Sequence, residues 1–149
     1  MKKILWTLLF FLMFNIAFSL DLENVRMNYE KAVRDEKICR SILDKLTHFS
    51  DKTIYQGYLG AYQAIWANHT INPFSKINTF NSGKKNIEQA IKVDPNNIEL
   101  RYLRLSIQKN CPAFLGYTKN IEEDISFIRK HADSITDESL KQMCKKIIL

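Results

Sequence analysis

Apolar residues recur at three- and four-residue steps along nearly the whole chain, and no stretch sustains an alternation of apolar and polar positions. A three-to-four period lines up side chains on one stripe of a helix, whereas a strand needs a period of two. Only 4 Gly and 3 Pro occur in 149 residues, so few points can interrupt a helix. The sequence therefore predicts an all-α protein.

Seven stripes can be followed in order. Leu22, Val25, Tyr29, Ala32 and Val33 form the first, and Ile38, Ile42, Leu43, Leu46 and Phe49 the second. The third has two apolar faces, one with Ile54, Tyr58, Ala61 and Ile65, the other with Leu59, Tyr62 and Trp66. Burial on both sides places that helix in the middle of the domain. Asn72-Pro73, a capping residue before a first-turn proline, opens the fourth helix with Ile77, Phe80, Ile87, Ala90 and Ile91. Asp94-Pro95-Asn96-Asn97 ends it, and Asn96 with Glu99 has the spacing of a capping box for the fifth. Leu100, Tyr102, Leu103, Leu105 and Ile107 follow, until Asn110-Cys111-Pro112. Thr118 or Asn120 caps the sixth helix, whose first turn holds Glu122, Glu123 and Asp124 against the helix dipole. Thr136-Asp137-Glu138 starts the seventh, with Leu140, Met143, Ile147 and Ile148 inward.

The N-terminal stretch has a different pattern. Met1-Lys2-Lys3 precedes an apolar run from Ile4 to Phe18, and Ala17 and Ser19 are small residues two apart. This is the layout of an export signal, with cleavage expected between Ser19 and Leu20. The run is shorter than the roughly 20 apolar residues that cross a bilayer core; an uncleaved N-terminal anchor is the alternative. Residues 1–19 are thus expected to be a signal peptide and 20–149 one secreted or periplasmic domain without a membrane span.

Loss of Lys2 and Lys3 with the leader takes the formal charge from +6 to +4, and the remaining basic residues alternate with acids. Nucleic-acid binders concentrate their basic residues into a stripe, so no nucleic-acid partner is expected. Cys39, Cys111 and Cys144 are an odd number without close spacing, which suits small core residues better than a disulfide framework; one bridge plus a free thiol is the alternative.

From Gly83 the chain reads GKKNIEQAIKVDPNN, with Ile87, Ala90 and Pro95 following at set intervals, and upstream it reads YLGAYQAIW. These segments resemble the second helix and closing turn, and the first helix, of a tetratricopeptide repeat, Leu59-Gly60 standing for that family's Leu-Gly pair. The match covers Tyr58 to Tyr102. Leu59-Gly60 lies about eleven residues early for a repeat of roughly 34 residues, the excess falling at Asn68–Ser75. Arg104-Leu105 stands where the Leu-Gly pair would recur. The chain also resembles small exported bacterial proteins with one such degenerate repeat. The resemblance implies antiparallel helix pairs in an α-α superhelix with a concave binding face, and implies no catalysis; a non-repeat bundle would carry the same stripes.

Asn97, Arg101, Arg104 and Gln108 share one face of the fifth helix. Two guanidiniums one turn apart can hold a carboxylate, an acidic peptide or a phosphate. The competing and favoured reading is a solvent stripe or internal pairing with Glu88 or with Glu122–Asp124. The Asn68–Lys85 insertion is a second candidate, with Phe74 and Phe80 expected to cover one end of the core; Phe114 and Leu115 are likewise expected to pack inward. GxSxG, GxGxxG and HExxH motifs are absent, and His48, His69 and His131 are scattered, so neither a catalytic centre nor a metal or other cofactor is expected. Cys144 and His131 form a conceivable thiol–imidazole pair, with no third group to orient it. Asn68-His69-Thr70 matches a glycosylation sequon.

The expected function is a non-enzymatic interaction module that docks a peptide or protein partner in a helix-lined groove. Tyr62, Trp66, Tyr102, Arg101, Arg104 and Gln108 are its candidate contacts. A small-ligand carrier, or an enzyme without a recognisable motif, is the alternative.

Overall fold

The computed structural model describes residues 20–149. The expected leader and Ser19 lie outside them. Seven α-helices follow one another: α1 (Leu22–Ala32), α2 (Glu36–Leu46), α3 (Thr53–His69), α4 (Pro73–Val93), α5 (Ile98–Asn110), α6 (Ile121–His131) and α7 (Glu138–Ile148). Single 3₁₀ turns at Ala113–Leu115 and Ala132–Ser134 complete the set, and no strand occurs among the described residues. None of these helices is long and apolar enough to cross a membrane.

Short connections reverse the chain between helices, and each helix through α5 packs on the next, α3 and α4 most extensively. The α3–α4 contact is backbone on backbone. A Cβ built on Gly60 would lie 2.5 Å from the Gly83 carbonyl oxygen, and one on Gly83 would lie 2.5 Å from the Gly60 carbonyl oxygen. Ile87 and Ala90 fill the space beside this crossing and are fully buried. Helix α3 is buried on both faces, with Tyr58, Ala61, Tyr62 and Ile65 inside, as its two stripes predict.

Side-chain caps start most of the helices. Asp21, Asp35, Asn72 and Asp137 each accept from backbone N–H groups in the first turn that follows. The expected capping box of α5 is displaced by one residue. Asn97, not Asn96, caps the helix, its Oδ1 accepting from Glu99 N at 3.1 Å and Leu100 N at 3.2 Å. The reason is the turn closed by Asn97 N donating to Asp94 O, which uses up Pro95 and Asn96. The Glu99 carboxylate is also engaged elsewhere. Arg26 of α1 grips it with two bonds, at 2.6 and 2.7 Å, and the Tyr58 hydroxyl donates to it at 2.6 Å. The third arm of Arg26 reaches Asp137 at 2.7 Å, so one guanidinium ties α1 to α5 and to the cap of α7.

The insertion at Asn68–Lys85 is helix rather than loop. Only Thr70, Ile71 and Asn72 separate α3 from α4, and the extra residues lengthen these helices to 17 and 21 residues. Phe80 is buried and meets the Tyr117 ring edge-on at 6.1 Å, as expected of a core residue. Phe74 does not cover the core: it projects into solvent from the first turn of α4. Phe114 also points outward, because Tyr117 takes the inward position expected of the connector. All three cysteines are free thiols; Cys39 and Cys144 are core residues and Cys111 is half-buried.

Candidate functional site

The arginine face of α5 is closed inside the protein. Arg104 makes a two-pronged pair with Asp124 of α6, Nε to Oδ2 at 2.7 Å and a terminal nitrogen to Oδ1 at 2.6 Å, and reaches Glu88 of α4 at 3.2 Å. The Tyr117 hydroxyl donates to the other Glu88 oxygen at 2.7 Å. Arg101 reaches Glu123 at 2.6 Å and Asp124 at 3.1 Å, with its guanidinium 4.9 Å above the Phe127 ring. Bonds from Asn120 and Arg101 hold the Glu123 carboxyl below the usual carboxylate range. These pairs are the internal pairing weighed in the sequence; they engage all three nitrogens of Arg104, and Nε and one terminal nitrogen of Arg101. The two arginines are therefore corrected from candidate contacts to clamps between α5 and α6.

Gln108, also expected as a contact, is 1% exposed. Its amide nitrogen lies 3.5 Å from Asn120 Oδ1, and its Oε1 has no hydrogen-bond partner among the described residues. Tyr62 is sealed in the core, its hydroxyl donating to Val25 O at 2.8 Å. Trp66 is half-buried under the Arg40 guanidinium, 5.2 Å from the ring centre. Of the six expected contact residues, Tyr102 alone lines the concave site described next.

That site is a groove of about 720 Å³. Alternation of helix direction builds it: α1, α3, α5 and α7 bring their C-terminal portions to one end of the domain, and α4 brings its N-terminal half. Helix α1 contributes Tyr29, Glu30 and Val33; α3 contributes Ala64, Ala67 and Asn68. Lys76, Ile77 and Phe80 form the α4 wall, Tyr102, Ile107 and Asn110 the α5 floor, and Met143, Lys146 and Ile147 the α7 wall. The connector closes one side with Phe114 and Leu115. Three large apolar side chains stand exposed here, Val33 at 50%, Ile77 at 45% and Phe114 at 82%. Sequence reasoning missed this grouping: the spacing puts Ile77 with Phe80 in the buried stripe of the fourth helix, whereas Ile77 is half-exposed at the groove and Phe80 is buried.

Most polar groups of the groove already have partners. The Tyr29 hydroxyl lies 2.6 Å from Ser106 Oγ, which donates to Leu103 O at 2.8 Å. Lys146 pairs with Glu30 across α7 and α1 at 3.0 Å, and Asn110 donates to Ser106 O at 2.8 Å. The Cys111 thiol points at Tyr117 O, 3.4 Å away, and burial pushes its pKa up. Two groups differ. Tyr102 is 4% exposed, yet its hydroxyl makes no hydrogen bond to any described residue; burial raises its pKa far above the ordinary range, which keeps it a neutral donor. Lys76 pairs with no carboxylate among the described residues.

The conceivable Cys144–His131 pair has no hydrogen bond in the structure. Burial pushes the Cys144 thiol up to about 12, and His131 Nδ1 sits 2.8 Å from Phe127 O. A thiol so raised stays protonated and is a poor nucleophile at neutral pH.

No protein-family model, no curated protein and no solved structure matches the chain.

Proposed function

We propose that this protein is an exported interaction module, built as a tetratricopeptide-like α-α superhelix, whose groove docks an apolar segment of a peptide or protein partner. One observation carries the reading: an open apolar groove edged by Val33, Ile77 and Phe114, which the fold leaves in water. Full burial of a side chain of this size from water is worth about 1.5–3 kcal/mol, so covering what remains exposed of these three supplies part of the association energy, and further contacts along the groove must supply the rest. The groove's polar groups are few and mostly paired with one another, which favours packing over chemistry on a bound substrate. Export is supported by the leader pattern. Cleavage before Leu20 leaves intact both the Asp21 cap of α1 and the bond from the Tyr55 hydroxyl to Leu20 O at 2.6 Å.

The test is in-cell crosslinking of the tagged protein beside an Ile77→Asp/Phe114→Asp variant. A discrete partner captured by the wild type and lost in the variant, with thermal stability unchanged, is the expected result. A partner retained by the variant removes the groove from the account.

A further inference from the structure

The groove is not uniformly apolar: besides the exposed Asn68 amide, Tyr102 and Lys76 have no partner among the described residues, and these two differ in depth and chemistry. Tyr102 stands on the α5 floor, almost fully buried, with a hydroxyl that no described residue engages. Its oxygen is not a fully buried atom, so the hydroxyl opens to the groove, where water or a docked acceptor can take its hydrogen bond. Buried hydroxyls elsewhere in this protein show the usual outcome: Tyr29, Tyr58, Tyr62 and Tyr117 all have oxygen partners within 2.6 to 2.8 Å. Tyr102 is the exception among them, and like Tyr29 it lines the groove.

The rim adds a charge preference. Three charged side chains line the groove, Glu30, Lys76 and Lys146. Glu30 and Lys146 neutralise each other. Lys76 remains, near the start of α4, whose first turn carries no acidic residue to balance the positive end of its dipole. An anion beside Lys76 meets two favourable fields, and a cation there meets two unfavourable ones.

Resting on the docking reading above, we infer that the segment taken by the groove is acidic as well as apolar: its apolar side chains fill the space between Ile77, Phe114 and Ile147, a carboxylate faces Lys76, and an oxygen acceptor accepts from the Tyr102 hydroxyl. Tyr102 and Lys76 are then specificity residues, one reading an acceptor on the groove floor and the other a charge at the rim.

A random twelve-residue peptide library displayed on phage, panned on the purified chain, on Ile77→Asp/Phe114→Asp and on Lys76→Glu, tests this. The expected result is a consensus with apolar residues and one or two Asp or Glu, enriched on the wild type and not on the groove variant. On Lys76→Glu the acidic positions should turn to Lys or Arg. A synthetic peptide of the consensus should bind Tyr102→Phe about five-fold more weakly, at unchanged thermal stability, because the ring stays and only the donor goes. Groove-dependent enrichment without acids, or with a consensus indifferent to Lys76→Glu and Tyr102→Phe, overturns this inference and leaves the docking reading standing. Enrichment that ignores Ile77→Asp/Phe114→Asp overturns the docking reading itself.

Discussion

Gly60 and Gly83 meet through their backbones: each carbonyl oxygen lies 2.5 Å from the point where a Cβ on the other residue would stand. No L-residue with a Cβ fits either position while α3 and α4 keep this distance. Alanine normally stabilises a helix interior relative to glycine by about 1 kcal/mol. Here the sign reverses. Gly60→Ala and Gly83→Ala should each destabilise the protein by about 1–3 kcal/mol, the range of overpacking in a closed core. Urea denaturation measures it, and a neutral or stabilising result for both would mean that the helices are farther apart than described.

The Arg104–Asp124 pair should behave as a structural clamp. Removing one partner of a buried pair leaves the other uncompensated and costs about 3–5 kcal/mol. Arg104→Met and Asp124→Asn are each expected to lose stability in that range. Arg101→Ala should lose less, because its other partner, Glu123, is mostly in water. Chemical denaturation of the three variants gives the order directly.

Stability should fall at both ends of the pH scale, for identifiable reasons. Glu123 has a lowered folded pKa, set by Asn120 and Arg101, so its contribution is present above the ordinary carboxylate range and is lost as pH falls through the lowered value. Cys39 and Cys144 have raised folded values, about 12 each through burial, so their contribution is present below about 9 and is lost as pH rises from there toward 12. Melting temperature should therefore drop steadily above pH 9, and Cys144→Ala should flatten part of that slope while lowering the plateau. A thiol reagent at neutral pH should modify Cys111 alone in the folded protein and all three cysteines in denaturant.

How much of this was legible in the sequence depends on how local each feature is. The seven helices follow from the spacing of Ile, Leu, Val and Tyr, because a helix shows its buried face within a few turns. The cap of α5 was off by one residue, since nothing local distinguishes Asn96 from Asn97 until the Asp94–Asn97 turn is formed. Arg104 and Gln108 read as part of a polar face that was either a solvent stripe or internally paired; Asp124 and Asn120, at the start of the next helix, decide for pairing. Phe114 looked like a core residue and points outward because Tyr117, three positions on, takes the inward place. The groove was hardest to foresee. Its walls come from the ends of α1, α3, α4, α5 and α7, so no single stretch of sequence carries its pattern.

Processing of the N-terminus is a separate expectation. Intact-mass analysis of the exported protein should find a chain beginning at Leu20. Tyr55→Phe, which removes the bond to Leu20 O, should lower the melting temperature by a few degrees while leaving the rest of the fold in place.

The most direct measurement is site-specific photo-crosslinking in the cell, with the reactive residue placed at Phe114, at Ile77, or at Val93, which is exposed but lies outside the groove. The groove account predicts one discrete adduct from positions 114 and 77 and none from 93. Adducts that form equally from all three positions, or from Val93 alone, would contradict it.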